Sequence, residues 1–115
     1  MTVPARPAAT VVLVRPAASG GTKWETYLLR RSAQSPVLAD LWVFPGGTVR
    51  ADDLRPESQK LFPDGSAAAA HAALARKPGE PASTPEHSLG YYVTAARELF
   101  EEAGVFFSDV AGPND

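Results

Sequence analysis

At 115 residues the chain has room for one small domain with a modest core. A formal charge of -2, with 44% hydrophobic and 21% charged residues, fits a soluble globular chain and lacks the basic excess of a nucleic-acid or membrane-surface binder. There is no cysteine, so disulfides and thiolate metal sites are excluded, and oxygen ligands or the two histidines remain. No apolar run approaches the roughly 18 residues that a bilayer span requires. "MTVPARPAAT" lacks the apolar stretch of a secretion signal, so a cytoplasmic location is the default expectation.

The β-branched run "ATVVLVR" (9–15) predicts a buried strand. After the loop "PAASGGTK" comes a second strand, "WETYLLRR" (24–31), and the short connection predicts an antiparallel pair. "LWVF" (41–44) predicts a third strand, stopped by "PGG" at Pro45 to Gly47. The following "RADDLRPESQKLFPDG" is polar and interrupted by proline. "SAAAAHAALARK" (66–77) then predicts a helix, with Ser66 as N-cap and basic residues near its end. His71 within it reads as a packing or surface residue, because no second histidine stands at ligand spacing. A last helix is expected to begin near Thr84 or Ser88, where hydroxyls and a first-turn proline coincide, and to stop at Gly104. "VFF" beyond it offers a fourth strand.

The last helix carries an unusual concentration of acid. At about 100° per residue, Glu98, Glu101 and Glu102 fall within one quadrant or so of the wheel. Tyr92, Val93, Ala96, Leu99, Phe100 and Ala103 cluster opposite, predicting that this apolar side packs and the carboxylates face outward. Glu98 and Glu102 form a like-charged i,i+4 pair, and their place near the C-terminus opposes the helix dipole. Arg97, four residues before Glu101, offsets part of this. Solvated acidic faces are common, yet a hard divalent cation with oxygen ligands would remove the repulsion.

Read together, "FPGG" after a strand and "RELFEEAGV" on a helix resemble the Nudix hydrolase family. Its signature is a glycine, five residues, a glutamate, seven residues, then Arg-Glu, an apolar residue, any residue, Glu-Glu, any residue, Gly and an apolar residue. The second half is matched at Arg97, Glu98, Leu99, Glu101, Glu102, Gly104 and Val105. The first half is matched at Gly47, with Asp53 where the signature has glutamate. Residues 54–96 then intervene where the signature has seven, an excess containing the alanine-rich helix. A branch of the family that includes peroxisomal coenzyme A diphosphatases is similar in both the aspartate and the long insertion.

The resemblance implies an α/β (α+β) fold, an α/β/α sandwich with a mixed sheet, here incomplete at its C-terminal side, with residues 1–115 as a partial domain and an inserted helical segment at about 54–88. It implies metal-dependent hydrolysis of the diphosphate bond in a small-molecule nucleoside diphosphate derivative, such as coenzyme A or a nucleotide cofactor, by direct attack of water on phosphorus. The cofactor would be Mg²⁺ or Mn²⁺. Glu101 and Glu102 match the principal metal-binding glutamates, and Glu98 matches a glutamate that binds metal or activates water. Gly46 matches a glycine whose carbonyl can join the metal shell. Arg97 matches the arginine that braces the loop, with Asp53 as its expected partner and Asp52 as the rival. Gly47 and Gly104 shape the loop and the helix end. Arg30 and Arg31 could reach a substrate phosphate from the second strand. No nucleic acid or membrane partner is expected. An incomplete sheet would leave an unpaired edge and favour association, a homodimer included. The alternative is a non-catalytic remnant that keeps the helix and acts as an interaction module.

Overall fold

The computed structural model describes residues 3–74 and 76–107 of the chain. Within them the α+β class holds: short antiparallel ladders and helices, with one long helix laid against the glycine-containing strand. The ladders are β1 (Ala8–Thr10) with β6 (Gly46–Thr48), β2 (Val14–Pro16) with β3 (Trp24–Thr26), and β4 (Leu29–Arg30) with β5 (Trp42–Val43). The first two expected strands are therefore present but divided, and the third is the single strand β5. The first is not the buried strand expected, since none of its residues is buried and Val12 and Val14 are exposed. The first run pairs through its early residues with β6 and through its later ones with β3; the second run pairs with β2 and then with β5. Among the described residues the ladders are all antiparallel, where the family resemblance implied a mixed sheet.

The expected stop at Pro45 to Gly47 is corrected. Gly46 and Gly47 lie inside β6, in register with Thr10 and Ala9. Pro45 is buried, and its carbonyl accepts from the Val11 amide at 2.8 Å. A Cβ on Gly46 would stand 2.4 Å from the Ala9 carbonyl oxygen, so glycine here permits close approach of two backbones rather than a reversal of the chain.

Beyond β6 the polar segment forms a 3₁₀ turn at Ala51–Leu54 and a single helical turn, α1 (Pro56–Gln59). The alanine-rich helix α2 spans Ser66–Ala73, shorter than expected. Its N-cap is Gly65 in the left-handed region, with Ser66 already helical, so the hydroxyl cap is also corrected. Lys77 donates its amide to Glu80 at 3.0 Å, and Arg76 reaches Ser83 O at 3.3 Å, contacts that commit this stretch to the return toward the next helix. His71 is half-buried, its Nδ1 2.8 Å from Ser88 Oγ, and joins the two helices as a packing residue.

Helix α3 (Pro85–Ala103) follows its local signals closely. Thr84 caps it, accepting from the His87 amide at 3.2 Å, and Pro85 occupies the first turn. Gly104 ends it at φ 69°, a left-handed conformation that costs a side-chain-bearing residue about 1 kcal/mol or more. The buried apolar residues Leu89 and Val93 meet Ala70 of α2, with Phe62 and Ala67 packed at the margin. Residues 105–107 form no strand.

The wheel misassigned part of α3. Its buried face comprises Ser88, Leu89, Gly90, Val93, Thr94, Glu98 and Leu99, whereas Tyr92 and Phe100 are exposed. Glu98 thus points inward. The ridge Gly90–Thr94–Glu98 runs at i,i+4 spacing along the contact with β6 and the 3₁₀ turn. Gly90 lets that turn come close, since a Cβ there would lie 2.4 Å from Leu54 Cδ2.

Candidate functional site

The site lies where α3 crosses β6 and the 3₁₀ turn. Its anchor is Asp53, which is 2% exposed. Arg97 meets this carboxylate through two nitrogens, Nε to Oδ1 at 2.8 Å and Nη2 to Oδ2 at 3.0 Å. The Arg50 amide donates to Oδ2 at 2.9 Å, and Thr94 Oγ1 lies 2.8 Å from the same oxygen. Burial alone would push this carboxyl up, but the hydrogen bonds from Arg97, Arg50 and Thr94 prevail and hold it at about 2. Asp52, the rival partner, pairs instead with Arg55 at the surface, 3.1 Å away. The one-methylene deficit of aspartate relative to glutamate is met by the 3₁₀ turn, which carries Asp53 in against the helix.

Arg97 spends its whole donor set here. Nη2 also donates to Thr48 O at 3.2 Å, and Nη1 donates to Glu98 Oε1 at 2.9 Å and to Glu101 Oε2 at 3.2 Å. All five N–H groups of a guanidinium are thereby engaged. The hydrogen bonds to Asp53, which outweigh the effect of burial, raise its affinity for the proton further above the ordinary arginine range. Arg97 is a junction between the loop and two of the acidic residues.

The structure brings Glu98 and Glu102 together beside the glycines. A Cβ on Gly47 would fall 2.3 Å from Glu98 Oε1, so the carboxylate occupies the space that a side chain would fill. The Gly46 amide donates to Glu102 Oε1 at 3.1 Å. Partial burial, and then hydrogen bonding and repulsion with Glu98, raise the Glu102 carboxyl above its ordinary value, against the lowering effects of the Gly46 amide and Arg31. Glu101 stands apart, held by Arg97 and by Arg50 Nη1 at 3.8 Å from its Oε1. Accordingly, among the described residues no group of three acidic or histidine side chains is gathered within reach of one ion. The Gly46 contact seen is through its N–H rather than its carbonyl.

Arg30 and Arg31 border the same region. An open cleft of about 510 Å³ is lined by Arg30, Arg31, Ser32 and Ser35, by Leu29 and Val43, and by Gly46, Glu98 and Glu102. Arg30 also contacts Asp40 at 3.4 Å. Cations and carboxylates thus share one concave surface.

Sequence reasoning missed Thr94, Gly90 and Arg50. A β-branched residue in mid-helix, one turn before Glu98, was the available signal for Thr94. Nothing local marked the other two, whose parts depend on tertiary approach.

Among curated proteins, acyl-coenzyme A diphosphatase NUDT19 of Gallus gallus is 30% identical over 102 residues, a match covering 78% of this chain. The chain spans 27% of that relative's length. No family model matches the chain, and no solved structure matches it significantly. Together with the signature residues at 97–105, the match supports a relationship to the Nudix family.

Proposed function

We propose that this chain carries the metal-binding and catalytic helix of a diphosphate hydrolase, acting on a small nucleoside diphosphate derivative with Mg²⁺ or Mn²⁺. The observation that carries the reading is the convergence of Glu98 and Glu102 on Gly46 and Gly47, at the edge of a cleft that also holds Arg30 and Arg31. The donor set suits a hard cation. Two crowded carboxylates, one with raised proton affinity, are relieved when a divalent ion takes the place of a shared proton. Glu101 would complete the set by leaving Arg50 and Arg97, and Gly47 gives Glu98 the room to sit there.

A bound divalent ion would supply neutralisation of phosphate charge and acidification of water. The chain's own residues do the rest. Arg97 fixes the direction of Glu98, and Asp53 fixes Arg97. Glu98, the more buried carboxylate, is placed to accept a proton from water at the cleft edge. Arg30 and Arg31 attract and orient a polyanionic diphosphate that the glutamates alone would repel. Coenzyme A derivatives are the substrate class suggested by the relative's name.

The test is incubation of the 115-residue chain with Mg²⁺ or Mn²⁺ and coenzyme A, NADH or ADP-ribose, with product release followed by chromatography. Turnover that falls below detection in the double variant Glu101→Gln, Glu102→Gln is the expected result. A second reading has its own observation: Trp24, Trp42 and Phe100 are 67%, 63% and 58% exposed. Metal uptake or self-association without turnover in any of the three substrates would favour an interaction module over an enzyme.

A further inference from the structure

Thr94 is an expensive choice for the middle of a 19-residue helix, since a β-branched residue loses rotamer freedom there. It is nevertheless fully buried, at 0% exposure. Its Oγ1 lies 2.8 Å from Asp53 Oδ2 and 2.9 Å from the Gly90 carbonyl. The hydroxyl has one proton, and the ionised carboxylate is the stronger acceptor. With that bond made, Asp53 receives four donors: Arg97 Nε and Nη2, the Arg50 amide and Thr94. Three of these donors fall on Oδ2 and one on Oδ1, so both oxygens are held and any turn of the carboxylate would break bonds already made. The guanidinium it grips is likewise fully engaged, and its Nη1 sets Glu98 and Glu101.

We propose that Thr94 is a positioning residue: its hydroxyl fixes the Asp53 carboxylate, which in turn fixes the Arg97 guanidinium against Glu98 of the cleft and the neighbouring Glu101. The short aspartate needs this third side-chain contact because it must be drawn up to the helix. Gly90 assists by admitting Leu54, and with it the 3₁₀ turn, against the same turn of α3. The consequence for a cation rests on the reading of the preceding subsection; the fixing of Arg97 does not.

The experiment is hydrogen exchange of the Arg97 Nε–H by ¹⁵N NMR on the full chain, comparing wild type with Thr94→Val and Thr94→Ser. A hydrogen bond to a charged group corresponds to roughly tenfold or more in an opening equilibrium. Thr94→Val should accelerate Arg97 Nε–H exchange by about that factor relative to the buried Leu89 and Val93 amides, and Thr94→Ser should restore it. Unchanged exchange in Thr94→Val overturns the proposal. So does equal acceleration of the Leu89 and Val93 amides, which would mean a general loss of stability. If the valine variant does not fold, Thr94→Ala against Thr94→Ser makes the same comparison without setting a methyl group on the carboxylate. A parallel Mn²⁺ titration should show weaker uptake in the hydroxyl-free variant than in Thr94→Ser. Absence of uptake by the wild-type chain would overturn the cation reading alone, and the exchange result would then support or overturn the positioning of Arg97 by itself.

Discussion

Replacing Asp53 by alanine should cost about 3–5 kcal/mol of folding stability, the range found when one member of a buried ion pair is removed. The reasons are local. Asp53 is 2% exposed, and its loss leaves the Arg50 amide and the Thr94 hydroxyl without their acceptor while Arg97, 19% exposed, keeps its charge. The same carboxylate gives the chain a pH dependence of definite sign. Its folded value of about 2 lies below the ordinary 3.8, so the unfolded chain takes up the proton first as acid is added. The contribution is fully present above the ordinary value and disappears as the pH falls through about 4 toward 2; it is about 2 kcal/mol in size. Urea denaturation of wild type and Asp53→Ala from neutral pH to pH 2 measures both effects. The wild-type midpoint should drop across that window, and the variant's should lack the part of the slope that Asp53 contributes. Equal slopes would show that the fold does not lower the proton affinity of Asp53, despite the hydrogen bonds it accepts.

The second large effect is expected at Gly47, and it should fall on binding rather than on stability. A methyl group there would meet Glu98 Oε1 at 2.3 Å and Cδ at 2.6 Å. The atoms in conflict are the end of a flexible side chain, so the helix and ladder can stay while the carboxylate leaves. Gly47→Ala should therefore change the urea midpoint little, and weaken Mn²⁺ uptake by roughly 10- to 100-fold, the scale seen when the support of a metal ligand is lost. At Gly46, by contrast, the conflict is with the Ala9 carbonyl, and the strand itself would have to shift. Adjacent glycines are required for different reasons: one lets two strands close, the other makes room for an acid.

How far the sequence reveals this arrangement depends on whether the information is local. Helix α3 is readable at both ends because Thr84, Pro85 and Gly104 act on their own backbone. The three expected strands are readable from their β-branched and apolar runs, whereas β6 and the division of the first two between partners are not. The inward turn of Glu98 is not, because a hydrophobic wheel assumes that the buried side is the apolar side. Here the buried ridge at Gly90, Thr94 and Glu98 meets a glycine strand and a charged loop, and the partners that justify it lie about 40 or more residues away in the chain. The pairing of Gly46 and Gly47 within β6 is hidden for the same reason. Their intrinsic preference is for turns, and only the approach of Ala9 and Thr10 explains a strand. The signature residues, in turn, name the acids and Arg97 but not Thr94, which a motif built on charged positions passes over.

The proposed cation site lies between Glu98 and Glu102 beside Gly46 and Gly47. Its most direct test is a Mn²⁺ titration of the 115-residue chain, followed by electron paramagnetic resonance, with Glu98→Gln and Glu102→Gln alongside. Saturable uptake of one or more ions, weakened at least tenfold or so by either substitution, is the predicted result. No uptake, or uptake that both substitutions leave unchanged, would contradict it.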